Sequence, residues 1–516
     1  MRSAPLTDKA LILRAGDDVA VAREWIPAGA ALSRGEDILQ TAEPIRPGHK
    51  LALKAIPKDA PVRKYGHVIG FASQEIAPGA HVHSHNLEAR DFDRDYRFGE
   101  DAVPLQPYPP GKARTFDGYL RSDGRVGTRN YIAVISTVNC SASVSHYVSR
   151  EFSDELLSGY PNVDGLLPLT HKGGCGGVLG GADYLQLQRT LAGMATHPNV
   201  YGYILMGLGC EVNQMADLAA NEGLLTIEGM GAPPKMISIQ AEGGIQKAVE
   251  AGCAAVEEML PHADACRRTP QPLSKLIVGA ECGGSDAHSG VTANPAVGCF
   301  GDELVRHGGT HCIGETPEMY GAEHLLTARA SSEQVGRRLL ERIRWWEEHA
   351  AAHGAKIDNN PTPGNKEGGL TTIYEKSLGA IAKGGSSPLR AVYGYAERIV
   401  EKGFVAMDTP GYDPVSVTGM AAGGATVILF TTGRGSVFGF KPSPSIKIAT
   451  NSRLFHHMPD DMDINAGAVL EGKTVEEVGR EILEAVVATA SGKKTKSELA
   501  GVGELEFNPW TLGPIL

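Results

Sequence analysis

The sequence predicts an α/β protein of two lobes with mainly parallel sheets, preceded by a small all-β domain. Three patterns predict it. Residues 1 to about 95 hold short apolar stretches cut by turns of one form, Ile26-Pro27-Ala28-Gly29, Ile45-Arg46-Pro47-Gly48 and Ile76-Ala77-Pro78-Gly79, and Pro followed by Gly punctuates strands. From Tyr131, apolar runs of strand length alternate with helix-length periodic segments, the succession of a doubly wound sheet. After a break over 261–272 the same succession starts again. A chain of 516 residues is too long for one core. The expected domains are an all-β module (1–100), a Pro-rich linker (101–115), a first α/β lobe (116–268) and a second (269–516).

Within the all-β module, Gly48-His49-Lys50, Lys64-Tyr65-Gly66 and Ile69-Gly70 stand where a SAF (β-clip) domain has them, and the segment resembles that domain. It ends in His81-Val82-His83-Ser84-His85-Asn86. Strand alternation would put three imidazoles on one face, to bind a metal or meet a carboxylate; an exposed polar strand edge explains the spacing equally well. The linker contains Pro107-Tyr108-Pro109-Pro110 and is expected to be stiff. In the first lobe the expected strands are 131–136, 165–169, 201–206 and 235–239, with helices near 143–157, 184–195, 214–221 and 244–260. The second lobe opens with Lys275-Leu276-Ile277-Val278-Gly279-Ala280 as a strand, carries a long helix near 332–352, and adds strands at 404–407, 425–430 and 445–449. Residues 474–490 read as a helix with Glu in its first turns. The sheets are expected to be Rossmann-like in winding.

Composition narrows the function. Hydrophobic residues make up 42% and charged residues 21%, ordinary for a globular protein, and the formal net charge is -11. That sign disfavours nucleic acid and anionic membranes as partners, while a local pocket can still hold a small anion. The N-terminus Met1-Arg2-Ser3-Ala4-Pro5 lacks a signal-peptide pattern and no apolar run is long enough for a bilayer. A cytoplasmic protein is expected. Eight cysteines without a CxxC pair point to a reducing compartment and away from a zinc finger.

Four of those cysteines follow predicted strands: Cys140 in Thr137-Val138-Asn139-Cys140, Cys175 in His171-Lys172-Gly173-Gly174-Cys175, Cys210 in Gly207-Leu208-Gly209-Cys210-Glu211, and Cys282 in Glu281-Cys282-Gly283-Gly284-Ser285-Asp286. Ligands bind at strand carboxyl ends in open α/β sheets. Convergence of these thiols with Glu211 would make a transition-metal site, for iron, zinc or an iron–sulfur cluster; small buried thiols under tight turns are the alternative, made the weaker one by four coincidences. Cys253, Cys266, Cys299 and Cys312 lack this placement and are expected to pack. Gly207-Leu208-Gly209 begins a GxG but has no third glycine, and neither GxxxxGK[ST] nor GxSxG occurs. Arg434, among glycines in Thr432-Gly433-Arg434-Gly435, suits two-pronged capture of a carboxylate, with Lys366, Lys376 and Lys447 as further cations.

Taken together the motifs resemble the altronate/galactarate dehydratase family over nearly the whole chain. They are Asp123-Gly124-Arg125-Val126-Gly127-Thr128-Arg129-Asn130, Gly207-Leu208-Gly209-Cys210-Glu211, Cys282-Gly283-Gly284-Ser285-Asp286, Ser289-Gly290-Val291-Thr292-Ala293-Asn294-Pro295, Glu315 with Glu318, Pro363-Gly364-Asn365-Lys366, Thr432-Gly433-Arg434-Gly435 and Asp463. The resemblance implies a hydro-lyase of sugar-acid catabolism that turns a hexonate or hexarate into a 2-keto-3-deoxy acid and needs Fe2+ or Mn2+. The histidine arm is similar to the altronate branch, which implies D-altronate going to 2-keto-3-deoxy-D-gluconate. The 291–298 stretch is nearer the galactarate branch, so galactarate or another aldonate or aldarate is the alternative, along with a non-catalytic sugar-acid-binding protein. Sulfolactate sulfo-lyase shares the architecture in split form. The expected metal ligands are Cys140, Cys175, Cys210, Glu211 and Cys282. His83 or His85, swung in on a mobile module, would be the base, and His171 or Glu315 the acid. Asp286, Asn294, Lys376 and Arg434 would hold substrate. The expected partner is a small anionic sugar acid, with a homo-oligomer left open.

Overall fold

The computed structural model describes residues 3–109, 111–227 and 230–512. Met1 and Arg2, Pro110 of the linker and the last four residues of the second lobe lie outside them. Among the described residues the first lobe is built on four parallel strands, β1 (Tyr131–Ser136), β2 (Gly165–Leu169), β3 (Val200–Gly207) and β4 (Lys235–Ser238), in the order β2-β1-β3-β4. Every residue of β1 and β2 is buried. A parallel sheet covered on both faces needs unbroken apolar strands, which is why these runs lack alternation. Helix α1 (Ala182–Ala195) lies between β2 and β3, and α2 (Ile245–Ala265) follows β4. Helix α2 does not stop at Leu260 as the sequence suggests. Pro261 sits inside it, in a last turn that Met259, Leu260 and Ala263 hold against the core, so packing outweighs one missing hydrogen bond.

The second lobe carries β5 (Ile277–Cys282), β6 (Thr310–Ile313), β7 (Leu389–Tyr393), β8 (Gly403–Met407), β9 (Val427–Thr432), β10 (Ser445–Ala449) and β11 (Ile464–Asn465). Their order is β7-β8-β6-β5-β9-β10-β11, parallel throughout. The chain builds one side of β5 first, then returns to add β9 on the other. The carboxyl ends of β5 and β9 therefore flank a switch point, where open α/β sheets bind their ligands. The first lobe switches in the same way between β1 and β3. Helices α3 (Ala293–Arg306), α4 (Ile373–Ile381), α5 (Asp413–Ala422) and α6 (Val475–Ala490) complete the part that matters here. An antiparallel ladder ties the lobes, with Thr115–Leu120 paired to Arg268–Pro272. Helices α1 and α5 meet where Gly193 comes so near Ala422 that a Cβ would lie 2.3 Å from the Ala422 carbonyl oxygen.

The N-terminal module is a small β domain whose short strands form separate sheets. It is docked on the second lobe. Val62, Ile69 and Val82 share one apolar cluster with Leu378 and Ile381 of α4. Within that contact Lys50 and Lys64 both reach Glu375, at 2.9 and 2.8 Å, and all three side chains are fully buried. The connection after the module straps along the second lobe: Tyr96 and Arg94 hold Glu323, and Tyr108 donates to Glu303 at 2.6 Å. The module expected to act as a mobile lid is docked in this structure through apolar surface and three buried charges. Among the described residues no helix is long and apolar enough to cross a membrane.

Candidate active site

The carboxyl end of β5 delivers Glu281 and Cys282 into a buried, charged centre. Glu315 enters from the end of β6, Glu318 one turn later, and Asp413 begins α5. Single ligand atoms of Glu281, Glu315 and Asp413 lie within 4.8 Å of one another, and so do those of Cys282, Glu315 and Glu318. Two ammonium groups face them. Lys383, just past α4, lies 2.8 Å from the Cys282 sulfur and pairs with Glu315. Lys376 pairs with Glu318 at 2.6 Å and donates to Asn360 at 2.9 Å. Glu315 adopts φ 64°, a left-handed backbone that costs a non-glycine residue about 1–3 kcal/mol. It is held there by the hydrogen bond that its backbone N–H donates to Thr409 Oγ1 and by the contacts of its carboxylate with Lys383 and the Cys282 amide.

Burial and mutual repulsion set the protonation of the centre. Burial, then Glu315 and Asp413, push Glu281 well above the usual carboxylate range. Asp413 is pushed up to about 7 by burial and by Glu315 and Glu318. Burial also raises Glu318, opposed by Lys376, and raises the Cys282 thiol strongly. For Lys383, burial acts downward, but Cys282 and Glu315 outweigh it and keep the ammonium charged. Glu281 Oε2 accepts from Ser416 at 2.7 Å, whereas its Oε1, fully buried, has no partner among the described residues. An orphaned carboxylate oxygen facing two further carboxylates is a fit for a hard divalent cation, which takes oxygen ligands and permits all three acids to ionise.

The expected metal set of Cys140, Cys175, Cys210, Glu211 and Cys282 divides between the two sheets. Cys282 ends β5, and its close ligand neighbours are Glu315 and Glu318. Cys140, Cys175 and Cys210 are exposed in the loops after β1, β2 and β3. Glu211 is engaged by Thr137 Oγ1 at 3.0 Å and the Gly209 amide at 2.6 Å. His171, expected as an acid, has both ring nitrogens on backbone: Nε2 to Ser136 O at 2.9 Å and Nδ1 to the Gly173 amide at 3.1 Å. Burial lowers its pKa to about 4. It braces the Cys175 loop, with both ring nitrogens engaged by backbone.

Asp286 accepts from the amides of His288 and Ser289 and from Thr450 Oγ1, and these bonds with His288 hold its pKa low against burial. Asn294 joins Gly379 O to Thr431 Oγ1. Both residues fasten the loop after β5, with their polar atoms committed to protein partners. Arg434 is exposed and pairs with Glu367 at 2.9 Å. Lys376 is part of the centre, and so is Glu315.

The histidine arm is not a strand. Strand pairing stops at Val82, and His83–Asn86 form a turn closed by the His83 amide on Asn86 Oδ1 at 2.9 Å. The rings still gather, His81 with His83 at 5.3 Å and with His85 at 5.6 Å, and His49 joins them through Nδ1, 3.0 Å from His81 Nε2. His83 Nε2 lies 2.8 Å from the Lys366 carbonyl and therefore carries the proton, leaving Nδ1, next to Ser84 Oγ, as its lone pair. Burial, followed by Lys50, lowers the His83 pKa and keeps the ring neutral. His49 meets the next carbonyl, Glu367 O, at 3.1 Å. The turn 366–368 thus carries His83 and His49 on one side and Arg434 on the other, with Gly368 packed against Asp286.

Sequence reasoning singled out neither Lys383 nor Asp413 as site residues. Lys383 closes a helix with no local motif around it. Asp413 did carry a signal, since Gly411-Tyr412-Asp413-Pro414 opens a helix just after a strand end.

The family comparisons agree with this architecture along its length. The description "Altronate/galactarate dehydratase SAF domain" matches residues 8–90, "D-galactarate dehydratase/Altronate hydrolase, second domain" residues 118–264, and "D-galactarate/Altronate dehydratase, C-terminal" residues 273–515. Altronate dehydratase of Bacillus subtilis (strain 168) is 35% identical, over 95% of this chain and 96% of that protein. Altronate dehydratase of Escherichia coli (strain K12) is 36% identical, over 96% and 97%. Galactarate dehydratase (L-threo-forming) of Escherichia coli (strain K12) is 39% identical, over 90% and 89%. With all three of its domains matched and relatives similar end to end, the chain belongs to the altronate/galactarate dehydratase family.

Proposed function

We propose that this chain is a metal-dependent hydro-lyase that removes water from a sugar acid, D-altronate, to give 2-keto-3-deoxy-D-gluconate. The observation that carries the reading is the buried group of Glu281, Glu315 and Asp413, with its orphaned oxygen, beside two ammonium groups at the switch point of the second sheet. The proton next to a carboxylate is weakly acidic because its loss piles charge on an anionic group. Glu281, Glu315 and Asp413 would hold Fe2+ or Mn2+, which would supply Lewis acidity toward that group and toward the developing charge.

The protein's own groups do the rest. Arg434, exposed beside the 366–368 turn, binds the substrate carboxylate. His83, neutral and with Nδ1 unprotonated, takes the proton. Lys376, held by Glu318 and Asn360, carries a proton at Nζ for the departing hydroxyl. Lys383, beside Cys282 and Glu315, stabilises negative charge at the centre. Galactarate is the second reading, favoured by the 39% identity to a galactarate dehydratase. All eight cysteines are free thiols, which supports a reducing, cytoplasmic setting.

The test is an anaerobic assay of the iron-loaded chain against a panel of aldonates and aldarates, with 2-keto-3-deoxy acids as the readout. Fastest turnover on altronate supports the reading. Fastest turnover on galactarate moves it to the second, and binding without turnover makes the chain a sugar-acid sensor.

A further inference from the structure

We infer that Cys140, Cys175 and Cys210 form a site for an iron–sulfur cluster, bound through three thiolates with one iron left open. The three follow β1, β2 and β3, which are adjacent in the order β2-β1-β3, so their thiols stand along one sheet edge at the first lobe's switch point. Their loops are tied together. The Asn139 amide donates to Gly173 O at 3.1 Å, the Asn213 amide to Gly174 O at 3.0 Å, and Asn213 Nδ2 to Thr137 O at 3.0 Å. Gly174 has φ 96°, and a Cβ there would come within 2.2 Å of Thr137 O. Glycine alone lets the Cys175 loop close over the Cys140 turn. His171 braces that loop, and Glu211 ties the Cys210 turn to Thr137.

Exposure argues against packing thiols. Free cysteine is among the most buried residue types, and Cys253, Cys266, Cys282, Cys299 and Cys312 are partly or fully buried here. The exposed ones are the three at these strand ends. Their donor set is soft, which suits iron–sulfide chemistry. Among the described residues the three sulfurs do not draw together closely enough to share one ion. A cluster is larger than an ion, and its thiolates stand farther apart. Cys282 is committed to the other sheet and Glu211 to its own loop, so the fourth iron has no protein ligand and takes water or an oxygen of an anionic metabolite. Each thiol loses its proton as its sulfur–iron bond forms. The site is distinct from the carboxylate centre and does not depend on the dehydratase reading.

The experiment uses the full chain, prepared without oxygen and supplied with ferrous iron, sulfide and a thiol reductant. The expected result is about four irons and about four acid-labile sulfides per chain, with a broad visible absorption and an electron paramagnetic resonance signal after reduction. Cys140→Ser, Cys175→Ser and Cys210→Ser are each expected to lose these signatures, and Cys253→Ser to keep them. As a check independent of substitution, a maleimide should label the three thiols in the cluster-free chain and be excluded from them in the loaded one. Iron uptake without labile sulfide, or a cluster that survives in the triple Ser variant, overturns the inference. A chain that, after reconstitution, dehydrates the sugar acid yet holds no labile sulfide overturns this inference and leaves the dehydratase reading standing, whereas a cluster without dehydration does the reverse.

Discussion

The Lys383 ammonium stands 2.8 Å from the Cys282 sulfur and is also paired with Glu315, all three side chains being buried. The charge balance of the centre therefore rests on a residue with almost no access to water. Lys383→Met leaves a buried carboxylate without its cation, and breaking such a pair costs roughly 3–5 kcal/mol. Turnover is expected to fall about 10²–10³-fold, the scale of losing one preorganised charge. Urea denaturation and kcat on the sugar acid check the two effects. Lys383→Arg should rescue neither fully, because the larger planar group has no room there.

Asp413 gives the centre a pH dependence with a definite sign. Its pKa is 3.8 unfolded and about 7 in place, so between those values the folded state holds a proton that the unfolded state has released. Asp413's contribution to the stability of the metal-free protein is then fully present below about 4, falls as pH rises toward 7, and is lost above it. The loss is at most about 4 kcal/mol, reduced by the partial exposure of the side chain. Asp413→Asn should flatten this slope in melts of the metal-free protein. A divalent cation must displace this proton and the one that burial keeps on Glu281, so its affinity should rise by at least about tenfold per pH unit up to about 7. Calorimetric titration at several pH values measures it.

Glu375 ties the N-terminal module to the second lobe by accepting from both Lys50 and Lys64. Burial acts to raise its pKa, but the two lysines hold it far below the usual carboxylate range. Burial brings Lys50 down to about 8 even so. Glu375→Gln leaves two buried ammonium groups unpaired, at a cost of roughly 3–5 kcal/mol, and should loosen the module. Limited proteolysis then cuts the 89–115 connection faster than in the parent chain, and the melting temperature drops. Unchanged proteolysis would mean that the apolar contact alone holds the module.

Much of the fold was legible because its parallel strands are short, apolar and bounded by glycine. The strand ends at Cys140, Cys175, Cys210 and Cys282 could be placed for that reason. Which of those ends face one another was not legible, since it depends on how the sheets are set, and the expected set of five ligands divides between two sheets. Pro261 looked like a terminator because local preference says so, yet packing overrode it. The His81–Asn86 arm read as a strand from its alternation, but the Asn86 side chain closes it into a turn. Lys383 was invisible, because a lysine in a helix is ordinarily a surface residue and only the tertiary structure buries it.

Arg434 is the residue proposed to take the substrate carboxylate, and its present partner sharpens the test. It pairs with Glu367 at 2.9 Å, with both side chains substantially exposed. An exposed pair of this kind contributes roughly 0–1 kcal/mol, so the guanidinium is free to exchange Glu367 for a ligand carboxylate. Glu367→Ala should leave the melting temperature nearly unchanged and lower KM slightly or not at all. Arg434→Lys keeps the charge and loses the two-pronged geometry. Losing a charge-assisted hydrogen bond costs roughly 1.5–3 kcal/mol, which lowers kcat/KM for the acid by about ten-fold to over a hundred-fold. Kinetics and melts on the same preparations separate the roles. A lowered melting temperature with unchanged kinetics in Arg434→Lys would make this residue a brace for the 366–368 turn and remove it from the site.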